Sequence, residues 1–410
     1  MISQIKKYLN SIDINEYRII THNLRLVTIH NQDCFEHFFS RYCVDFNAYG
    51  RYYKFMLPKK FSSKSLSRLI QHSLHNQFSF FDQALPLMGI LPAAFPQASP
   101  HTSTESLQKF LEDGVLALEQ ENHCKVLDAS HRWIFHEMTV QQPSNSKIYR
   151  NLSNEVILRV QGDATSTYVS GATTFKAGDY GRIYRNCISE NHWENISPSA
   201  KPLSGEVMLP PEIVQLLMSR LLTALNGENI VQKRGVFQNS DFNTQVISPI
   251  LSIIDDPFRP ETPILDRVDA EGSMRKAKTL INSGILSESL NDITCAAILG
   301  KDGGNTFFDY MSEKVHISHS DITITSAKKI HFQEFSGDLI IKQLDPRQNQ
   351  YNPKTGQISI RLIGTKRGSS LNEVYHYDGH ILDIFREVQA VTTPFRAWSG
   401  YYMPGFILKL

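Results

Sequence analysis

Very little in this chain of 410 residues suggests a charged partner or an oxidising compartment. Its 42 basic residues are balanced by 41 acidic ones, for a net charge of +1. The basic face that a nucleic-acid partner demands is therefore missing. Five cysteines (Cys34, Cys43, Cys124, Cys187 and Cys295) lie scattered, with no C-x-x-C pair. That argues against a disulfide framework or a thiolate zinc site and for reduced, buried thiols. No stretch is apolar and uncharged for long enough to span a membrane, since the leucine-rich run 212–225 carries Glu212 and Arg220. Lys6 and Lys7 are followed by no apolar segment of the signal-peptide kind, so a cytoplasmic location is expected.

What is present is the composition of a folded protein, 41% hydrophobic and 20% charged. The length suits two domains. Residues 2–10 read as a helix, 17–31 and 49–58 as strand-like alternation, and 62–75 as a helix with a capping serine. Prolines between 86 and 100 exclude regular structure there. Leu107, Phe110, Leu111, Val115, Leu116 and Leu118 form an amphipathic stripe. Antiparallel strands are expected on either side of a turn at Gln142–Ser146.

A polar stretch with two prolines, 191–205, suggests a boundary, giving domains 1–198 and 199–410. The second half opens with a strand, 205–210, and an apolar helix, Pro210 to Gly227. A strand at 246–255, a charged loop, a helix at 276–284 and several further strands complete the expectation. Irregular alternation without βαβ spacing predicts an α+β fold, its C-terminal domain mostly β.

Candidates for chemistry are sparse. His131 and His136 differ by an odd number, so one strand sends them to opposite faces, and His316 and His319 do the same. His376 and His380 flank an Asp-Gly pair that reads as a turn, but nothing near it completes a ligand set. His136-Glu137 lacks the second histidine of a metalloprotease helix, since Val140 stands at that position. No G-x-S-x-G occurs, and the loop 300–305 lacks the order of a phosphate cradle. Between Asp255 and Lys278 lie six carboxylates, including Asp255, Asp256, Asp269 and Glu271, and five cationic side chains. Adjacent carboxylates can hold a hard cation or raise one another's pKa. Charge alone favours a solvated loop.

Those residues carry a resemblance. The run from Ser248 to Leu286, followed by Asn291 to Thr306, resembles the TldD/PmbA family, once described as modulators of DNA gyrase. There a strand ends in two aspartates, and a loop leads to D-x-E-G, an arginine and a helix closing on G-x-L. Here these are Asp255-Asp256-Pro257, Asp269-Ala270-Glu271-Gly272, Arg275 and Gly284-Ile285-Leu286. Order and spacing hold from Ser204 to about Asn305. The resemblance implies an N-terminal α+β domain, a mostly β C-terminal domain and a dimer.

The family divides in two. A TldD-like subunit is a zinc peptidase with H-E-x-x-x-H on a helix that begins Pro-Glu, and a TldE/PmbA-like subunit lacks the motif and pairs with it. Placed on Pro211-Glu212, the two histidines fall at Ser219 and Ala224 and the glutamate at Arg220. No cysteine follows Cys295, so the TldD-like C-terminal cysteine ligand has no counterpart. The resemblance therefore implies a zinc-free TldE/PmbA-like chain with no metal or cofactor of its own. Its expected partner is a TldD-like subunit that holds zinc, or a second copy of itself. Unfolded peptides, or leader peptides of peptide natural products, would be the substrate, with no nucleic acid or membrane involved. Asp255, Asp256, Asp269 and Glu271 would line a cleft or brace the loop. Two rival expectations remain. One is a self-sufficient tailoring enzyme recruiting His136, Asp255, Glu271 or His380; the other is a homodimer that binds peptide or a small molecule.

Overall fold

The computed structural model describes residues 2–30, 33–49, 51–58, 62–75, parts of 108–120, 125–161, 165–172, 200–259, 268–309, 314–369, 371–398 and 401–410. The proline-rich stretch 86–100 and the expected domain boundary lie outside the described residues.

The first 172 residues build one antiparallel sheet. Its strands are β1 (Tyr17–His30), β2 (Asp33–Ala48), β3 (Arg51–Pro58), β4 (Lys125–Gln141), β5 (Ser146–Gln161) and β6 (Thr165–Ala172), in the order β3-β2-β1-β4-β5-β6. The expected strand, helix and turn positions appear here, with the turn closed by the Gln142 N–H donating to the Asn145 carbonyl. The two runs expected in 17–31 form one continuous strand, Tyr17–His30. Strand β2 was absent from the sequence reading for a physical reason: its first six residues are exposed on both faces and show no alternation.

Side chains along each strand alternate between two faces. Tyr17, Ile19, Val44, Phe46, Tyr53 and Leu57 turn to one face and pack against Ile5 and Leu9 of α1 (Ile2–Ser11) and Leu66 and Ile70 of α2 (Ser63–His75). Described residues between 108 and 120 are helical, as the apolar stripe there predicts.

The remaining sheets come from residue 200 onward. Eight strands run in the order β15 (Lys329–His331), β19 (Val388–Thr393), β22 (Phe406–Lys409), β8 (Glu206–Leu209), β16 (Leu339–Tyr351), β17 (Gln357–Lys366), β18 (Glu373–His380) and β7 (Ala200–Pro202). Six run in the order β11 (Ile285–Leu286), β10 (Lys278–Asn282), β9 (Leu251–Asp255), β14 (Ile322–Ser326), β21 (Tyr401–Met403) and β20 (Arg396–Trp398), with β12 (Thr306–Asp309) and β13 (Lys314–Ile317) as a separate hairpin. Helix α3 (Pro211–Ala224) contributes Ile213, Val214, Leu217, Met218 and Leu221 to a core shared with both larger sheets. Proline at its first turn and Glu212 beside the positive helix end favour its start. The mixture is an α+β fold.

Three local expectations are corrected. Residues 276–284 are not helical; they hold β10 (Lys278–Asn282), which pairs with β9 (Leu251–Asp255). A bulge between Thr279 and Ile281 turns both Leu280 and Ile281 inward and breaks the period of two that marks a strand. Gly284 then closes the turn into β11 (Ile285–Leu286) at φ +82°, where a Cβ would stand 2.6 Å from the Ile247 carbonyl. The run 316–324 splits between β13 and β14 (Ile322–Ser326). Asp378-Gly379 is no turn, because β18 (Glu373–His380) runs straight through it beside β17 (Gln357–Lys366).

Candidate functional site

On α3 the three positions singled out by the sequence have ordinary helix roles. The Ser219 hydroxyl donates to the Leu216 carbonyl at 2.7 Å. Arg220 is exposed, its guanidinium 5.9 Å from the centre of the Tyr351 ring, and the Tyr351 hydroxyl donates to the Arg220 carbonyl. Ala224 is buried and offers no donor atom. Zinc chemistry requires unprotonated nitrogen ligands and a carboxylate base for the attacking water. A self-bonded hydroxyl, a cation and a methyl group do not fit that metal. Beside this helix Tyr351 also lines a groove of about 360 Å³, together with Gln350, Asn352, Ile358, Ser359 and Asp378.

The described carboxylates of the acidic segment are for the most part not solvated. Among the described residues, Asp255, Asp269 and Glu271 are buried and Asp256 is half-exposed. Asp255 ends β9 and accepts from the backbone N–H groups of Ser320 and Asp321 and from the Asn305 side-chain amide, each within 2.9 Å. Burial raises its pKa to about 6, against the pull of those donors. Asp256 instead accepts from the Phe258 N–H in a local turn.

The D-x-E-G element works as a unit. Asp269 accepts from the N–H groups of Glu271, Ser273 and Thr306, which shapes its own loop. Glu271 accepts with one oxygen from the Ile293 N–H, at the start of the helix Ile293–Leu299, and with the other from Lys54 on β3. Gly272, at φ +75°, lies so close to β4 that a Cβ would meet Val140 at 3.0 Å. Arg275 is enclosed, donating to the carbonyls of Gly304 and Thr306 and to the Ser320 hydroxyl, with its guanidinium 3.9 Å from the Phe307 ring centre. Charge alone misled because composition does not show which carboxylates meet backbone donors inside the fold.

Lys54, Arg18, Asp45 and His22 escaped the sequence reading altogether, and the fold brings them to this place. All four lie on the face of the first sheet opposite α1 and α2. Arg18 on β1 donates to Asp45 on β2 at 2.9 Å, both buried. Burial would lower the Lys54 pKa, but Glu271 beside it holds the ammonium well above the ordinary lysine value. Burial would likewise raise Glu271, yet Lys54 keeps it ionised. His22 and His136 share a hydrogen bond at 3.0 Å, and the Phe308 ring of β12 stacks on His22 at 4.6 Å. Burial and Arg275 together lower His136 to about 4, so the imidazole is neutral near pH 7. Their only sequence signal was polarity at alternate positions in strands that otherwise look amphipathic.

The other candidates are dispersed. The His380 ring accepts from the Leu382 N–H as a helix cap, and His376 lies 4.0 Å from Asp378. The His319 ring lies tilted against Tyr401, its centre 4.6 Å away, whereas His316 is on β13. Asn305 of the glycine-rich loop 300–305 accepts from Lys278 within the buried network. Cys43 and Cys295 are buried as expected, whereas Cys34 is exposed on β2. Among the described residues, no three His, Cys, Asp or Glu side chains are grouped so as to hold a metal ion. The arrangement is a set of matched charges that fastens the first sheet to the second half.

Residues 204–409 match the family model described as the PmbA/TldA metallopeptidase C-terminal domain. A Methanocaldococcus jannaschii protein, the uncharacterized MJ0231, is 26% identical over 212 residues, 47% of each chain. The chain thus spans about half the length of that curated relative. Two solved structures are similar along nearly the whole chain. TldE from Thermococcus kodakarensis gives a TM-score of 0.72 at 15% identity, covering 99% of this chain and 98% of that one. The Thermotoga maritima candidate DNA gyrase modulator TM0727 gives 0.70 at 12% identity, with coverage of 99% and 98%. Identities this low speak for the fold alone.

Proposed function

Because the chain belongs to the PmbA/TldD family, we propose that it is the zinc-free subunit of a two-subunit metallopeptidase acting in the cytoplasm. A TldD-like partner holds the zinc and cuts; this chain needs no metal or cofactor of its own. The observation that carries the reading is helix α3. Ser219, Arg220 and Ala224 stand where the family's peptidases keep two histidines and a glutamate, and none of them can bind zinc or serve as base. The substrate is an unfolded peptide or the leader of a peptide natural product. The groove beside Tyr351 and the strand edges of the sheets support a role in enclosing such a chain.

The test is co-expression with a TldD-like subunit. The pair should elute together, contain zinc and cleave an unfolded peptide until a chelator is added. This chain alone should be inactive. Chelator-resistant cleavage by the isolated chain would sink the proposal and revive the tailoring-enzyme reading. Failure to bind any TldD-like subunit would favour the homodimeric binding protein.

A further inference from the structure

Charge totals hide a segregation that the fold makes visible. The chain balances 42 basic residues against 41 acidic ones, yet residues 1–12 hold Lys6 and Lys7 and no carboxylate. Residues 58–81 likewise hold Lys59, Lys60, Lys64 and Arg68 and no carboxylate. Helices α1 and α2 come from these two stretches and lie side by side on the first sheet, the Tyr8 hydroxyl donating to the Ser67 carbonyl at 3.2 Å. Their apolar stripes, with Ile5, Leu9, Leu66 and Ile70, are buried against the sheet. Lys7, Lys64 and Arg68 stand exposed on the outer side. Among the described residues, no carboxylate forms an ion pair with any of these three. The carboxylates next in sequence, Asp13 and Glu16, lie past the end of α1.

Helix α2 carries its charges against its own interest. Lys64 stands in the first turn, where the positive end of the helix dipole disfavours a cation. Arg68 follows one turn later, and like charges at i and i+4 repel. No acidic residue in the first turn offsets either cost. The start of the helix is already capped, because the Ser65 N–H donates to the Ser62 hydroxyl at 3.0 Å. Lys64 and Arg68 therefore serve something outside the helix.

We propose that the outer face of α1 and α2 is a docking surface for an extended, acidic stretch of polypeptide. Charge selects the sign of the occupant and spacing selects its form. Side chains at i and i+4 of a helix are about 6 Å apart along the axis. Alternate side chains of an extended chain are about 6.6 Å apart. Carboxylates at every second position of such a chain thus fall in step with Lys64 and Arg68, and Lys7 on the neighbouring helix adds to the attracting field. An anionic bilayer is gripped by aromatic or leucine side chains, and Leu69 is the one large apolar residue exposed among the described residues of these helices. A nucleic-acid duplex engages a longer row of cations than this face presents. Such an acidic segment is a subclass of the unfolded peptides of the peptidase reading, on which its role as substrate rests; its binding requires this chain alone.

The test titrates the purified full-length chain into a fluorescent peptide of alternating glutamate and alanine at low ionic strength and follows anisotropy. Saturable binding that weakens as salt is added is expected. Lys64→Glu, and separately Arg68→Glu, should each weaken it at least about tenfold. Lys64→Glu should also raise the melting temperature, since a carboxylate suits the first turn and pairs with Arg68. Binding lost in that variant is then not folding lost. Lys314→Glu, the same charge change at an exposed site on β13, should leave binding unchanged. The proposal falls if the unaltered chain does not bind, if both helix variants bind as well as it does, or if Lys314→Glu weakens binding as much as they do. It also falls if duplex DNA or phosphatidylserine vesicles bind more tightly than the peptide. None of these results bears on whether a TldD-like subunit supplies zinc, and failure to pair with such a subunit would leave the binding result standing.

Discussion

The two faces of the first sheet are held by different physics. On one, Ile19, Phe46 and Tyr53 meet α1 and α2 in an apolar cluster. On the other, Arg18, Asp45, Lys54 and the His22–His136 pair meet Glu271 and Phe308 of the second half. Apolar burial is non-directional and tolerates exchange of similar volumes. A buried ion pair repays its desolvation only in a narrow geometry, so it specifies how two parts fit more than it adds net stability. The comparison teaches that the helix-covered face supplies stability and the charged face supplies registration.

Breaking the charged face should have the largest effect. Lys54→Met leaves Glu271 ionised and uncompensated, and should cost about 3–5 kcal/mol in denaturant unfolding. Adding Glu271→Gln should recover most of that loss, because an acceptor for the Ile293 N–H remains while the lone charge is gone. No recovery would mean that the pair is not the element at work.

On the apolar face, Phe46→Ala should cost about 3–4 kcal/mol through lost burial and a cavity. No polar change elsewhere should restore it. If a charge substitution at the junction did so, the two faces would not be independent.

The histidine pair adds a pH signature to the charged face only. The His136 pKa falls from 6.5 to about 4 in the folded chain. Its neutral form therefore supports stability above pH 6.5, and that support is lost as pH falls toward 4. Asp255, raised to about 6, acts in the opposite sense, gaining stability as pH falls through that value. Replacing His136 with phenylalanine should remove up to about 2 kcal/mol of acid-induced loss, allowing for the ring's partial exposure. Urea titrations from pH 7 to 4 would show it as a flatter slope.

Ile19→Val, a single methylene on the helix-covered face, should cost about 1 kcal/mol at every pH. A pH-dependent loss there would blur the distinction between the faces.

Much of the fold was legible because periodicity reports burial directly. Helices α1, α2 and α3 and most of the long strands follow their apolar spacing. What misled were places where the period breaks. The bulge in β10 imitated a helix, the exposed half of β2 showed no alternation, and Asp378-Gly379 had turn chemistry inside a strand. At the site, Asp255, Asp269 and Glu271 were found as a motif, but their burial and their partner Lys54, 217 residues from Glu271, were not. An ion pair at that separation leaves no local pattern to read.

By itself, then, the sequence determined the α+β character, the family resemblance and the absence of zinc-binding side chains at Ser219, Arg220 and Ala224. Those follow from residue identity and short-range spacing. Only the tertiary structure decided that Asp255, Asp269 and Glu271 are buried and that Lys54, on a distant strand, pairs with Glu271. Each of these depends on which distant strands lie side by side, and backbone pairing, not local propensity, sets that.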